Sequence, residues 1–368
     1  MNKCALYIPR PGGTSSMVQQ GYVDALRCLG WKVYVADPKT KLGCRKFIEE
    51  YGVRLILTSS RYGVRQLPVD TINDNGVTVF ISALPLNDKE ATIGGPYELA
   101  HEDEPEIVKD IHSVVIHTPL EVHTWKEYMS GWEQRGINLL HVPVAGNIVC
   151  ALPSSFSTIT DVAMVANFSH RPEIMAQLIV PLFKRLKLLG HSYQAFGDDM
   201  WSRAGLDYNG PIIGDTSKLA EIYATARACP NVHTKQQIEL NAYINERSFM
   251  IPLCGGIQVS DNPLVEKYID GTVSAKNVTD YITMVMELVE NDSDRYHIIR
   301  RNLEHVAKNH TYFNRLVDMF RFAGRYEDAG HIRVEGERIA EKHCWEMDLR
   351  ISAEERGVPY EQVVVGAA

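Results

Sequence analysis

Apolar runs of strand length alternate with segments of helical period along most of the chain. Residues 3–9 are apolar, residues 17–29 place apolar side chains at helical spacing, and residues 31–37 are apolar again and end in an acid. Gly30 sits between the last two, where a helix C-cap belongs. The alternation continues: residues 53–58, 77–83, 113–118 and 138–144 predict strands, with 47–51 in an intervening helix. Such alternation predicts a parallel sheet covered by helices. Residues 145–160 break the pattern with Pro153, Ser154, Ser155 and Ser157, which predicts a linker.

A second series follows. Residues 161–166 predict a strand, and Pro172 suits the first turn of a helix over 173–189 that Gly190 closes. Residues 192–196 predict another strand. Leu219, Ile222, Tyr223 and Ala226 mark the apolar face of a helix, and 231–233 end a further strand. Asn245-Glu246-Arg247 then opens a short helix, Cys254-Gly255-Gly256 is a turn, and 257–261 form a strand closed by Asp261. The rest is helical in period. These segments predict an N-terminal Rossmann-like domain over 1–150, a second α/β domain over 151–323, to which the resemblance described below assigns nucleotide-sugar binding, and a helical tail over 324–368.

Composition narrows the class. Apolar residues at 45% and charged ones at 23% are ordinary for a globular protein. No apolar run approaches the roughly 20 residues of a membrane helix, and the N-terminus enters a strand without a leader pattern, so no membrane span and a cytoplasmic location are expected. The seven cysteines have no CxxC spacing, which suggests neither a disulfide framework nor a zinc site. A net charge of −8 argues against broad binding to a phosphate backbone.

Candidate chemistry gathers where strands end, because an open α/β sheet binds ligands outside the carboxyl ends of its strands, with helix N-termini facing phosphates. Gly12 and Gly13 form a loop after the first strand, placed to face a ligand. His117 ends a strand, either as a ligand-contacting or as a structural residue. Asn167, His170 and Arg171 stand at a strand-to-helix junction suited to an anion, although Arg171 also fits a solvated helix start. Gly197 ends the next strand, and Lys235 offers a cation. Glu246 and Arg247 supply an acid for hydroxyls and a guanidinium for a diphosphate.

The run Asn245, Glu246, Arg247, Ser248, Phe249, Pro252, Cys254, Gly255, Gly256 and Asp261 resembles the nucleotide-sugar core of glycosyltransferases of the GT-B fold, most closely the group similar to the spore-maturation protein CgeB. Residues 161–167 and His310-Thr311-Tyr312-Phe313-Asn314-Arg315 resemble the opening and closing elements of that domain. The resemblance spans residues 160 to 322. It implies two Rossmann-like domains with parallel sheets facing across a cleft, C-terminal helices crossing back, and sugar transfer from a nucleotide-sugar to a hydroxyl, retaining and metal-independent. Catalysis would fall to His117, Glu246 and Arg247, and donor binding to Gly12, Gly13, Asn167, His170, Arg171, Gly197, Lys235, Asn245, Gly255, Gly256 and Asp261. No cofactor is expected beyond the nucleotide-sugar. The acceptor is a glycan, a metabolite or a modified DNA base; a GT-B epimerase and a non-catalytic nucleotide-binding module are the alternatives. One departure stands out. Relatives with paired glutamates place a ribose-binding Glu where this chain has Met250, leaving Glu246 as its replacement.

Overall fold

The computed structural model describes residues 3–9, 15–37, 39–86, 99–212, 216–239, 241–272, 274–291 and 293–367. The chain divides into two compact units, Met1–Val144 with Tyr312–Gly336, and Ala145–Thr311 with Glu337–Ala368. The segment expected as a separate tail is thus shared: one helix, Tyr326–Arg356, has its first part in one unit and the remainder in the other.

The first unit is built on six parallel strands: β1 (Cys4–Tyr7), β2 (Lys32–Val35), β3 (Leu55–Ser59), β4 (Thr78–Ser82), β5 (Val114–Thr118) and β6 (Leu139–His141), in the order β2-β1-β3-β4-β5-β6. Strands β3 to β5 are almost continuously buried, as expected for a sheet covered on both faces. The helix Ser15–Cys28 packs against the helix Tyr312–Phe322 so closely that a Cβ on Gly21 would overlap the ring of Tyr312. Phe320 meets Phe80 edge-on at 5.2 Å and Trp31 at 6.2 Å, which fixes that late helix to the sheet. Arg315 anchors the same helix, donating to the carbonyls of Pro143 at 2.8 Å and Val144 at 3.1 Å.

The second unit has four parallel strands: β7 (Thr160–Val165), β8 (Tyr193–Phe196), β9 (Ala226–Asn231) and β10 (Gln258–Ser260), ordered β10-β9-β7-β8. Its core stacks Phe183 on Trp201 at 5.7 Å, with Phe168 against the other side of the indole. The helix expected over 173–189 is present and ends at Gly190 with φ of +83°. Its first half widens into a π-turn over Met175–Ile179 because Pro181, lacking an N–H and clashing with the carbonyl four residues back, cannot join a regular ladder.

Strand β9 starts and ends earlier than its sequence suggests, closing at Asn231 and not at His233. Ala226, expected on the face of the preceding helix, is its first residue, and Pro230 lies within it. The proline is tolerated because Cys229 N–H donates to Ile257 of the β10 side at 2.8 Å, so position 230 faces β7, where pairing ends at Ala228.

Candidate active site

The strand order reverses between β7 and β9, so their carboxyl ends flank the crevice where an open α/β sheet binds its ligand. Arg247, the first residue of the helix Arg247–Leu253, spans those two ends. Its Nη1 donates to Val165 O at 3.0 Å, its Nη2 to Val232 O at 2.7 Å and its Nε to Asn231 Oδ1 at 3.2 Å. Asn231 is fully buried and also accepts from Asn245 Nδ2 at 2.9 Å, while its own amide donates to Ser248 and Gln258, both at 2.9 Å. Asn245 caps the helix, its Oδ1 accepting from Ser248 N at 3.2 Å. The Asn-Glu-Arg run therefore fastens the helix to two strand ends, and Glu246 stands half-buried at its start.

Beside this network Asp261 follows β10 and His233 follows β9. The pairing of Ser260 with Asn231 brings them together. Asp261 accepts the His233 backbone N–H at 3.0 and 3.1 Å and faces Nδ1 at 2.7 Å. His233 is completely buried, and its Nε2 has no hydrogen-bond partner. Burial lowers its pKa; Asp261 opposes that shift, and Arg247 and Arg171 reinforce it.

Arg171 precedes the helical turn at Pro172 and is close enough to Arg247 for the two charges to repel. Burial first and Arg247 second press its pKa down to about 9, which leaves it cationic at neutral pH. Its Nε is buried without a partner. Two guanidinium groups, one buried imidazole and one carboxylate thus meet at the switch point, with two polar atoms unsatisfied.

The other expected site residues are placed as follows. Asn167 precedes the turn Phe168–His170, His170 is exposed on it, and the turn is held by Asp198, which accepts from Phe168 N at 3.1 Å and Ser169 N at 3.0 Å. Burial works against the Asp198 charge, but these bonds and that from the Ser169 hydroxyl outweigh it and keep the carboxyl below its usual range. Gly197, with φ of +148°, leaves room for Ala166 O, which Trp201 Nε1 meets at 2.9 Å. Lys235 is exposed and pairs with Glu239 at 3.7 Å. Gly255 and Gly256 precede β10 and so lie at the amino end of the sheet, away from Asp261. Their hydrogens face Phe156, Met347 and Ile251, and Gly255 has φ of +80°. Met250, at the ribose position of relatives, is buried inside its helix with its sulfur accepting from Asn147 N at 3.0 Å.

His117 belongs to the first unit. It is 7% exposed, its Nδ1 has no partner, and burial pushes its pKa down to about 4. Gly12 and Gly13 lie outside the described residues. Sequence reasoning did not select Asn231 or His233, although each stands at the end of a strand that borders the switch point. Among the described residues no group of three or more His, Cys, Asp or Glu side chains is arranged to hold a metal ion, and no helix is long and apolar enough to cross a membrane.

Residues 171–321 match the family model described as "Glycosyl transferase-like", which contains every residue of the switch-point cluster except Val165. No curated protein sequence matches the chain. Among solved structures, an α-glucosyltransferase in complex with UDP is similar at 10% identity with a TM-score of 0.58, over 87% of this chain and 99% of that one. A complex of α-glucosyltransferase with UDP and a 13-mer DNA containing a HMU base gives 9% and 0.59 over 87% and 99%. A third, with UDP-glucose and DNA containing an abasic site, gives 9% and 0.56 over 87% and 98%. The fold is that of the GT-B glycosyltransferases, and residues 171–321 are glycosyltransferase-like.

Proposed function

We propose that the protein transfers a sugar from a nucleoside-diphosphate sugar to an acceptor hydroxyl, with the donor's diphosphate seated at the β7/β9 switch point. The observation that carries this reading is the pair of guanidinium groups, Arg171 and Arg247, at the switch point, with the buried Nε–H of Arg171 left without an acceptor. A leaving nucleoside diphosphate gains negative charge as the glycosidic bond breaks, and preorganised cations in a partly dehydrated site stabilise that charge strongly. Because three N–H groups of Arg247 serve backbone and side-chain acceptors, Arg171 is the guanidinium whose main partner is the donor, and Arg247 adds charge and holds the floor of the site. Glu246 meets ribose or sugar hydroxyls. The guanidinium groups take the place of a metal ion, and no further cofactor is required. The Asn245–Phe249 run supports placing the chain with the CgeB-like group, and with it retention at the anomeric carbon.

The acceptor in the first reading is a glycan or metabolite hydroxyl. A second reading, a hydroxymethylpyrimidine base in DNA, is favoured by one observation: the α-glucosyltransferase structures that align with nearly their whole length are DNA complexes in two of the three cases above. The test begins with UDP, GDP, ADP, CMP and dTDP in thermal-shift and calorimetric titrations of the wild type and Arg171→Ala. One nucleotide is expected to bind, and the variant to bind it at least about tenfold more weakly, the loss of a charged hydrogen bond. If none of the five binds, the reading fails. Incubating the corresponding nucleotide-sugar with methyl glycosides and with hydroxymethylated duplex DNA then separates the two acceptors.

A further inference from the structure

We propose that His233, oriented by Asp261, takes up a proton when the donor binds and then donates Nε2–H to the diphosphate. The inference rests on the donor reading above and goes further, since it makes donor affinity depend on pH through one residue. Asp261 receives both the backbone N–H and the ring Nδ1 of His233, at 3.0 and 2.7 Å. A carboxylate can only accept, so the proton of the neutral ring sits on Nδ1 and the lone pair on Nε2. That lone pair is buried without a donor, and the Nε–H of Arg171 is buried without an acceptor. Buried polar groups are rarely left unpaired, and an unpaired pair of this kind at a strand end marks the place of a ligand.

The charges around the ring explain why the proton arrives with the ligand. Asp261 favours the charged imidazole; burial, Arg247 and Arg171 disfavour it. Tyr243 and Glu246 act one step removed, through Arg171 and Arg247 respectively. A diphosphate placed against the two guanidinium groups offsets their repulsion and gives Nε2 an acceptor. The balance then changes sign: solvent supplies H⁺ to Nε2, Nδ1–H stays with Asp261, and no other bond forms or breaks.

Isothermal titration of UDP-glucose at pH 7.5 in buffers of different ionisation enthalpy tests this, because the phosphates of UDP-glucose do not themselves titrate near neutrality. The wild type is expected to take up about one proton per ligand and to lose affinity by up to about tenfold per pH unit between the free-state and bound-state pKa of His233, levelling off above the latter. His233→Gln keeps a donor in place of Nε2 but cannot take a proton; it is expected to bind UDP-glucose more weakly with no uptake and a flat pH profile. Asp261→Asn is expected to reduce the uptake by removing the charge that favours the imidazolium. Binding by the wild type without any buffer dependence, or undiminished uptake in His233→Gln, would overturn the inference. The wild-type titration decides even if neither variant folds. Absence of binding by UDP-glucose and by each of the five nucleotides above overturns the donor reading itself.

Discussion

The carboxyl edges of the two sheets have the same strand geometry and opposite electrostatics. In the second unit the edge is charged and densely bonded: Arg247 joins two strands, Asn231 engages four partners, and Asp261 holds His233 through both nitrogens that face it. In the first unit the edge carries Thr58, Ser59, Glu104 and His117, each with a buried polar atom lacking a partner. His117 is neutral there at physiological pH, and burial raises Glu104 to about 7. A parallel sheet therefore supplies a position for a ligand, and the residues just past each strand end decide which chemistry the position serves. Fixed positive charge suits a diphosphate, and uncharged hydroxyl and imidazole groups suit a neutral acceptor.

Arg247→Ala leaves Val165 O, Val232 O and part of Asn231 unmet in a buried setting, at a cost of about 3–4 kcal/mol. Thermal unfolding of the second unit is expected to fall sharply, with faster hydrogen exchange at the ends of β7 and β9. Arg247→Lys recovers part of the loss at best, because one ammonium cannot reproduce the planar fork that reaches both strands. A fully stable Arg247→Ala variant would show that the network is incidental to the fold. Arg171→Ala provides the contrast, weakening nucleotide binding with little change in stability.

The stability of the first unit is expected to respond to pH through Glu104. Glu104 is fully buried and accepts from the N–H of Arg61, a residue held at φ of +69°. Burial raises its pKa from 4.5 to about 7, against the lowering effect of the Arg61 and His101 backbone bonds. A carboxyl whose folded pKa exceeds the unfolded value contributes stability that is complete below about pH 4.5 and is lost as pH rises through about 7. The difference is on the order of 3 kcal/mol. Glu104→Gln keeps an acceptor for Arg61 without titrating, so its melting temperature should gain on the wild type by on the order of 5 °C between pH 5 and 8.5. Parallel pH profiles for the two proteins would show that Glu104 ionises freely.

How much of this was legible in the sequence depended on the distance over which a residue acts. Apolar runs such as 53–58, 77–83 and 113–118 identified their strands because burial on both faces leaves a local signal. Strand β9 was shifted because Arg227 and Pro230 hide its pattern, and their acceptability depends on which neighbour each backbone position faces. The Asn245–Arg247 run was recognisable as the centre of the domain, but whether its guanidinium met a ligand or the protein could not be read locally: the answer lies at Val165, 82 residues away. His233 carried no signal of its own, since its meaning comes from Asp261, 28 residues later and one strand over. Gly255 and Gly256 entered the donor set only through the resemblance. A glycine pair before a strand lies at the amino edge, however, whereas ligand loops follow strands.

Lys235 is the most weakly engaged cation near this edge. It follows β9 closely enough in sequence to have been counted among the donor's cations, yet its side chain is 66% exposed and paired with Glu239 one helical turn on. Exposed pairs of this kind contribute about 0–1 kcal/mol and are screened by salt. Lys235→Ala is therefore expected to change nucleotide affinity less than about threefold at physiological ionic strength, and melting by no more than a degree or so. At low salt a somewhat larger effect should appear and vanish as salt is added, the mark of a charge that guides the ligand without touching it. A loss as large as that of Arg171→Ala, persisting in salt, would instead place the ammonium on the diphosphate and extend the charged edge beyond β9.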